Sequence, residues 1–158
     1  MTRPDYAYVA IIAASPEKVW QGLTTAEFTE QYWHTTRIRS DFEAGSPVEF
    51  LLDGEVCVRG EVLLADRPNE LSYTWHFSRN PETRDEAPSR VTFKLRAIPA
   101  GTELTVIHDQ FEAGSKTLEM VTQGWPYVIA GLKTLLETDK AVDFTASEPE
   151  ETAQAANI

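Results

Sequence analysis

From Val48 to Asp109 the chain steps between inward and outward positions with a period of two, in run after run, and each run ends at a turn. Val48, Phe50 and Leu52 alternate with Glu49 and Leu51, and Asp53-Gly54 follows as a hairpin signal. Val56, Val58, Gly60, Val62 and Leu64 alternate with Cys57, Arg59, Glu61 and Leu63 as far as a turn at Asp66-Arg-Pro-Asn69. Leu71, Tyr73, Trp75 and Phe77 come next, then Val91, Phe93, Leu95 and Ala97, then, after Pro99-Ala-Gly101, Leu104, Val106 and His108. That periodicity predicts an antiparallel meander with one apolar and one polar face.

A sheet of this kind has to cover its apolar face. Only the segment Lys116 to Thr138 is long enough, with Leu118, Val121, Trp125, Ile129, Leu132 and Leu136 in one helical stripe. Ahead of the meander, Tyr6 to Ala13 reads as a strand. Ser15 and Pro16 then open a short helix to Leu23, and Thr25 caps another from Ala26 to Tyr32. The expected fold is α+β: a curved antiparallel sheet of about seven strands around a long C-terminal helix, with two short helices after the first strand. One domain, residues 1–142, is expected to carry it. Residues 143–158 are acidic, lack a periodic apolar face, and are expected to be disordered.

Gly124-Trp125-Pro126 interrupts the long helix with its two poorest formers. Pro126 removes the bond to Thr122, so a kink or bulge is expected between them, tilting Trp125 toward the sheet. Trp125 then either fills the core or sits at a hinge against a ligand.

Alternation assigns the lining. Phe50, Val58, Tyr73, Trp75, Phe77 and Phe93 face inward, followed by Leu95, Val106 and His108. Trp125, Ile129 and Leu132 come from the helix, and Trp33 from the end of the second short helix. This is either a filled core or the aromatic lining of a small-molecule pocket. His108 is the one inward ionisable group. It is either a core histidine bonded to Tyr73 or Trp75, or a group that orients or protonates a ligand. Glu49, Arg59, Glu61, Lys94 and Arg96 fall on the solvated face, where Leu51, Leu63 and Ile107 would add an apolar patch. The polar stretch Ser78 to Ser89 is long for a hairpin loop, and in a sheet wrapped around a long helix it would sit at the mouth, either as a gate or as a mobile loop.

Several chemistries are excluded. His34, His76 and His108 do not converge, and the lone Cys57 faces outward, so no metal site is expected. No nucleophile elbow, zinc-protease motif or phosphate loop occurs, and no cofactor is implied. A net charge of -11 disfavours nucleic acid and anionic membranes. One cysteine and no leader motif fit a cytoplasmic, microbial protein.

Five segments in order, AASPEKVWQGLTTAEFTEQYW, LSYTWHF, VTFKL, TELTVIHDQF and GWPYVIAGLKTLLE, resemble the START-like, helix-grip superfamily. Within it the chain is similar to the branch named after the activator of heat-shock-protein-90 ATPase, a branch rich in small bacterial proteins. The resemblance implies a cavity between sheet and helix that takes an apolar molecule. It also implies, as alternatives, a chaperone-regulating (stress-response) or homodimeric interaction domain, or a cyclase, dehydratase or hydrolase using His108 and Tyr73. A non-catalytic binding domain for a small hydrophobic or aromatic molecule is the leading expectation.

Overall fold

The computed structural model describes residues 6–141, and the tail expected to be disordered lies outside them. The chain runs β1 (Tyr6–Ile12), α1 (Pro16–Thr24), α2 (Ala26–Tyr32), β2 (Arg37–Ser40), β3 (Pro47–Leu52), β4 (Glu55–Asp66), β5 (Glu70–Trp75), β6 (Ser89–Ile98), β7 (Gly101–Asp109) and α3 (Lys116–Thr138). All seven strands form one antiparallel sheet in the order β1-β7-β6-β5-β4-β3-β2. The order is that of the α+β helix-grip fold, with α3 against the apolar face.

Local chemistry sets the element ends. Ser15 accepts from the Lys18 amide at 3.2 Å and opens α1. Thr25 occupies the N-cap of α2, but its side chain makes no capping bond. Asp53 and Gly54 both have positive φ, 52° and 83°, as a two-residue hairpin turn requires. Ser115 accepts from the Leu118 amide at 3.1 Å and starts α3. Contrary to expectation, α3 passes through Pro126 as one unbroken α-helix without a bulge. Thr122 and Gln123 are exposed, so the missing bond falls on the solvent side of the helix.

The period-two assignment holds except where the ladder shifts. The register of β4 against β5 slips between Val62 and Leu64. A bulge inserts one residue and re-aims the side chains beyond it. Val62 is fully buried, while Leu63 and Leu64 are 44% and 42% exposed, so Leu64 leaves the inward set.

Gly60 stands where β4 meets β5. A Cβ there would land on the carbonyl oxygen of Thr74, a backbone atom that cannot swing aside. Gly60→Ala is therefore expected to lose about 3 kcal/mol of stability, the upper end for overpacking. Urea denaturation measures it, and a loss below about 1 kcal/mol would mean that the two strands can part cheaply.

Candidate functional site

The centre of the molecule is a box of aromatic rings supplied by different elements. Trp33 ends α2, Phe50 comes from β3, Tyr73 and Trp75 from β5, Phe93 from β6 and Trp125 from α3. Trp33 lies 4.6 Å from Phe50 and 5.5 Å edge-on from Trp125. Trp75 lies 5.7 Å from Trp125, and Phe77 closes on Trp75 at 5.4 Å, perpendicular. Val58, Leu95, Val106, Ile129 and Leu132 are buried around them. The predicted inward residues are thus brought together.

Among the described residues, the gap between the aromatic box and α3 is narrow. About 160 Å3 stays empty between Trp33, Trp75, Val121, Gly124, Trp125 and Val128, nowhere wide enough to admit a water molecule. Helical spacing puts Val121 in the apolar stripe, but it does not single out Gly124 and Val128 as lining. Helical spacing places residues on a face, but not at a particular gap.

Among the described residues, burial without hydrogen bonds marks three side chains. Tyr73 Oη, Trp75 Nε1 and His34 Nε2 are inaccessible and have no partner. Each such group costs roughly 1–3 kcal/mol. Tyr73 and Trp75 are neighbours on the inner face of β5, with rings 6.4 Å apart and tilted by only 20°. Burial pushes the Tyr73 hydroxyl well above the usual phenol range, so it remains a neutral donor. Tyr32 is satisfied by contrast, donating to the Gly22 carbonyl at 2.7 Å where α1 and α2 meet.

His108 is satisfied too, but not by Tyr73 or Trp75. Trp125 Nε1 donates to His108 Nδ1 at 3.1 Å, and His108 Nε2 meets Ser89 Oγ at 2.7 Å. An indole N–H can only donate, so Nδ1 carries no proton and Nε2–H donates to Ser89. Ser89 Oγ in turn lies 3.3 Å from the Trp75 carbonyl. Ser89 escapes a reading of the sequence because it closes a polar stretch, yet it is the first residue of β6. Burial lowers the His108 pKa to about 3, against a smaller upward pull from Asp109. Asp109 itself faces the other side, in a two-pronged pair with Arg90. Both ring nitrogens of His108 are engaged and neither meets Tyr73, so the two make no acid–base pair.

The other polar candidates lie elsewhere. His76 Nε2 contacts the Arg84 carbonyl. Burial lowers His34 to about 4. Glu49 pairs with Arg39 and Arg59 on the outer face. Among the described residues no three His, Cys, Asp or Glu side chains gather as a metal site, and no helix is long and apolar enough to cross a membrane.

The segment from Ser78 to Ser89 crosses the end of the box where α3 begins. Glu86 accepts from Ser115 Oγ and the Lys116 amide, both at 2.7 Å, and from the Thr117 amide at 3.4 Å. The Ala87 amide donates back to Glu112 at 2.8 Å. Partial burial would raise the Glu86 pKa, but these bonds outweigh it and hold it below the carboxylate range. Arg79 reaches Glu55 beside the Asp53-Gly54 turn, which puts that turn at the same end.

Comparison with known proteins agrees with this architecture. A 27% identical protein, MLL2253 from Mesorhizobium loti, superposes with a TM-score of 0.73 over 85% of this chain and 97% of its own. An Aha1 dimer from Colwellia psychrerythraea is 20% identical, with a TM-score of 0.71 over 87% of this chain and 99% of its own. An HSP90 activator from Plasmodium falciparum, PFC0360w, is 18% identical, with a TM-score of 0.70 over 84% and 96%. These last two likenesses concern the fold. No curated protein matches. The sequence model of the activator of Hsp90 ATPase homolog 1-like proteins spans residues 13–137, from the end of β1 nearly to the end of α3, and the chain belongs to that family.

Proposed function

We propose that this chain is a non-catalytic binding domain for a small, mostly aromatic molecule that carries a hydrogen-bond acceptor, held between sheet and α3. The observation that carries the reading is the pair of adjacent, fully buried donors without partners, Tyr73 Oη and Trp75 Nε1. Two unmet donors side by side in an otherwise apolar box are a cost that a ligand acceptor would remove. The empty space is too narrow for such a molecule, so binding requires Trp125 and the first turns of α3 to yield. The Glu86 contacts with that end of α3 would set how readily they do so. A cytoplasmic setting suits the half-buried lone Cys57.

Quinoline and naphthalene make a matched probe pair, since they differ in one ring atom that accepts a hydrogen bond. Titrated against the intrinsic tryptophan fluorescence, quinoline is expected to bind about 3–10 times more tightly. Tyr73→Phe should shrink that ratio, and native mass spectrometry should show a co-purified molecule lost on denaturation. A clean native mass together with no response to either probe would sink the reading.

A second reading is protein interaction, favoured by apolar side chains on the outer sheet face. Val9 is 56% exposed, and Ile11, Leu63 and Leu64 are exposed with it. The description of the Plasmodium relative as an HSP90 activator supports a chaperone as one such partner.

A further inference from the structure

The two edges of the sheet differ in how they meet water. One edge is β2, four residues long. It carries Arg37 in ion pairs with Glu27 and Glu30, and Arg39 in one with Glu49. A short, charged edge of this kind resists pairing with another strand. The other edge is β1, YAYVAII, seven residues without proline, bulge or charge. Of the seven strands, β1 alone has no charged side chain.

The hydrogen-bonding groups of this edge are only partly used. The Ile11 carbonyl accepts from Lys133 Nζ at 2.6 Å, and the Ala13 amide donates to Glu137 Oε2 at 2.8 Å. Lys133 and Glu137 pair at 2.7 Å, so one ion pair on α3 caps the far end of the strand. These bonds also fix the parity of the ladder. If Ile11 directs its carbonyl away from β7, the alternation of an antiparallel strand turns the amides and carbonyls of Ala7 and Val9 the same way. Their side chains are exposed on the outer face beside Ile107 and Thr105 of β7.

We infer that the β1 edge is a self-pairing surface whose partner is the β1 of a second copy of this chain. Antiparallel pairing about a two-fold axis through Val9 sets Val9 opposite Val9 and Ala7 opposite Ile11. It supplies about four backbone hydrogen bonds, two between the Val9 residues and one in each Ala7–Ile11 pair, whose Ile11 carbonyl already accepts from Lys133. It also lays Ala7, Val9 and Ile11 of both copies into one apolar ridge, with β-branched pairs at the centre. Charge points to this strand as the place where two copies can meet. Two copies each at -11 repel over most of their surface, and β1 is the strand that brings no charge to the contact. The two-fold puts the Lys133–Glu137 pairs at opposite ends of the seam, outside its central Val9 pair. A seam of one strand pair is at the small end of specific interfaces, so the dimer is a weak one. This deepens the protein-interaction reading and is independent of a ligand in the aromatic box.

Sedimentation velocity on the full chain, from about 5 to about 500 µM, tests it in the range where such an interface would dissociate. The wild type is expected to move from monomer toward dimer, with exchange of the Val9 amide slowing as dimer forms. Val9→Lys places a charge on the seam at an exposed position, as protected edges do, and should weaken dimerisation at least about tenfold. Its thermal unfolding should match that of the wild type. Leu63→Lys, on the same face but off the edge, should dimerise normally. A monomer over the whole range overturns the inference and leaves chaperone binding open. A dimer that Val9→Lys does not weaken, or in which the Val9 amide exchanges unchanged, assigns self-association to another face.

Discussion

Trp125→Ala is expected to cost about 5 kcal/mol of stability, the upper end for deleting a buried aromatic side chain, and to lower the melting temperature by roughly 10–20 °C. Two terms add. The ring is 2% exposed and packs on Trp33, Trp75 and Phe93, so its loss leaves a cavity walled by stiff aromatic neighbours that cannot collapse into it. Its N–H is also the partner of His108 Nδ1, which would be left buried and unmet. Trp125→Phe separates the terms: most of the volume stays, the donor goes, and the expected loss is about 1–2 kcal/mol. The Ala variant offers a sharper check. Its apolar cavity should bind indole, which restores both shape and donor, and the added ligand should raise stability by mass action. Benzothiophene has the same outline and no N–H, so it should rescue less. Equal rescue by the two would mean that the bond to His108 contributes nothing.

The contrast between ring and bond also explains what could be read in the sequence. Alternation placed Phe50, Tyr73, Trp75, Phe93 and His108 on one face because a strand has only two sides, and the register shift next to the Asp53-Gly54 turn falls between Phe50 and Leu51. It failed at Leu64, since a bulge adds one residue without changing the apolar pattern that flanks it. Pro126 was legible as a lost hydrogen bond, but not as an unbroken helix, since tertiary packing along α3 outweighs one bond on its exposed side. The aromatic character of the box was legible from Trp33, Trp75 and Trp125. Its closure was not, because free volume depends on rotamers from five elements packed together. The partners of His108 were missed for a similar reason. Ser89 lies nineteen positions away and Trp125 seventeen, and only the folded chain brings them to the two ring nitrogens. His34 carried no signal at all, yet its Nε2 is inaccessible and unpartnered.

Acid should weaken this protein well before its carboxylates titrate. His108 has a pKa of about 3 in the folded chain and His34 about 4, both lowered mainly by burial. An unfolded histidine takes up its proton near pH 6.5. Between about 6.5 and 3 the unfolded chain therefore holds a proton at His108 that the folded chain refuses, and stability falls as pH falls. The contribution is complete above about 6.5 and is lost progressively toward 3, with His34 following the same sign down to about 4. Each histidine contributes up to about 1.4 kcal/mol per pH unit inside its window. The Glu86 and Glu137 carboxylates, held below their ordinary range, steepen the loss only as pH drops under about 4.5. The interval from pH 6.5 to 5 therefore isolates the histidines. Urea midpoints across it should fall by the equivalent of about 2–4 kcal/mol in the wild type, and His108→Gln, which keeps a donor and an acceptor without a titrating ring, should lose about half of that slope. A slope left unchanged by His108→Gln would mean that this imidazole is protonated in the folded chain. The Trp125 indole could then no longer donate to it, and the tautomer that joins α3 to β6 and β7 would be wrong.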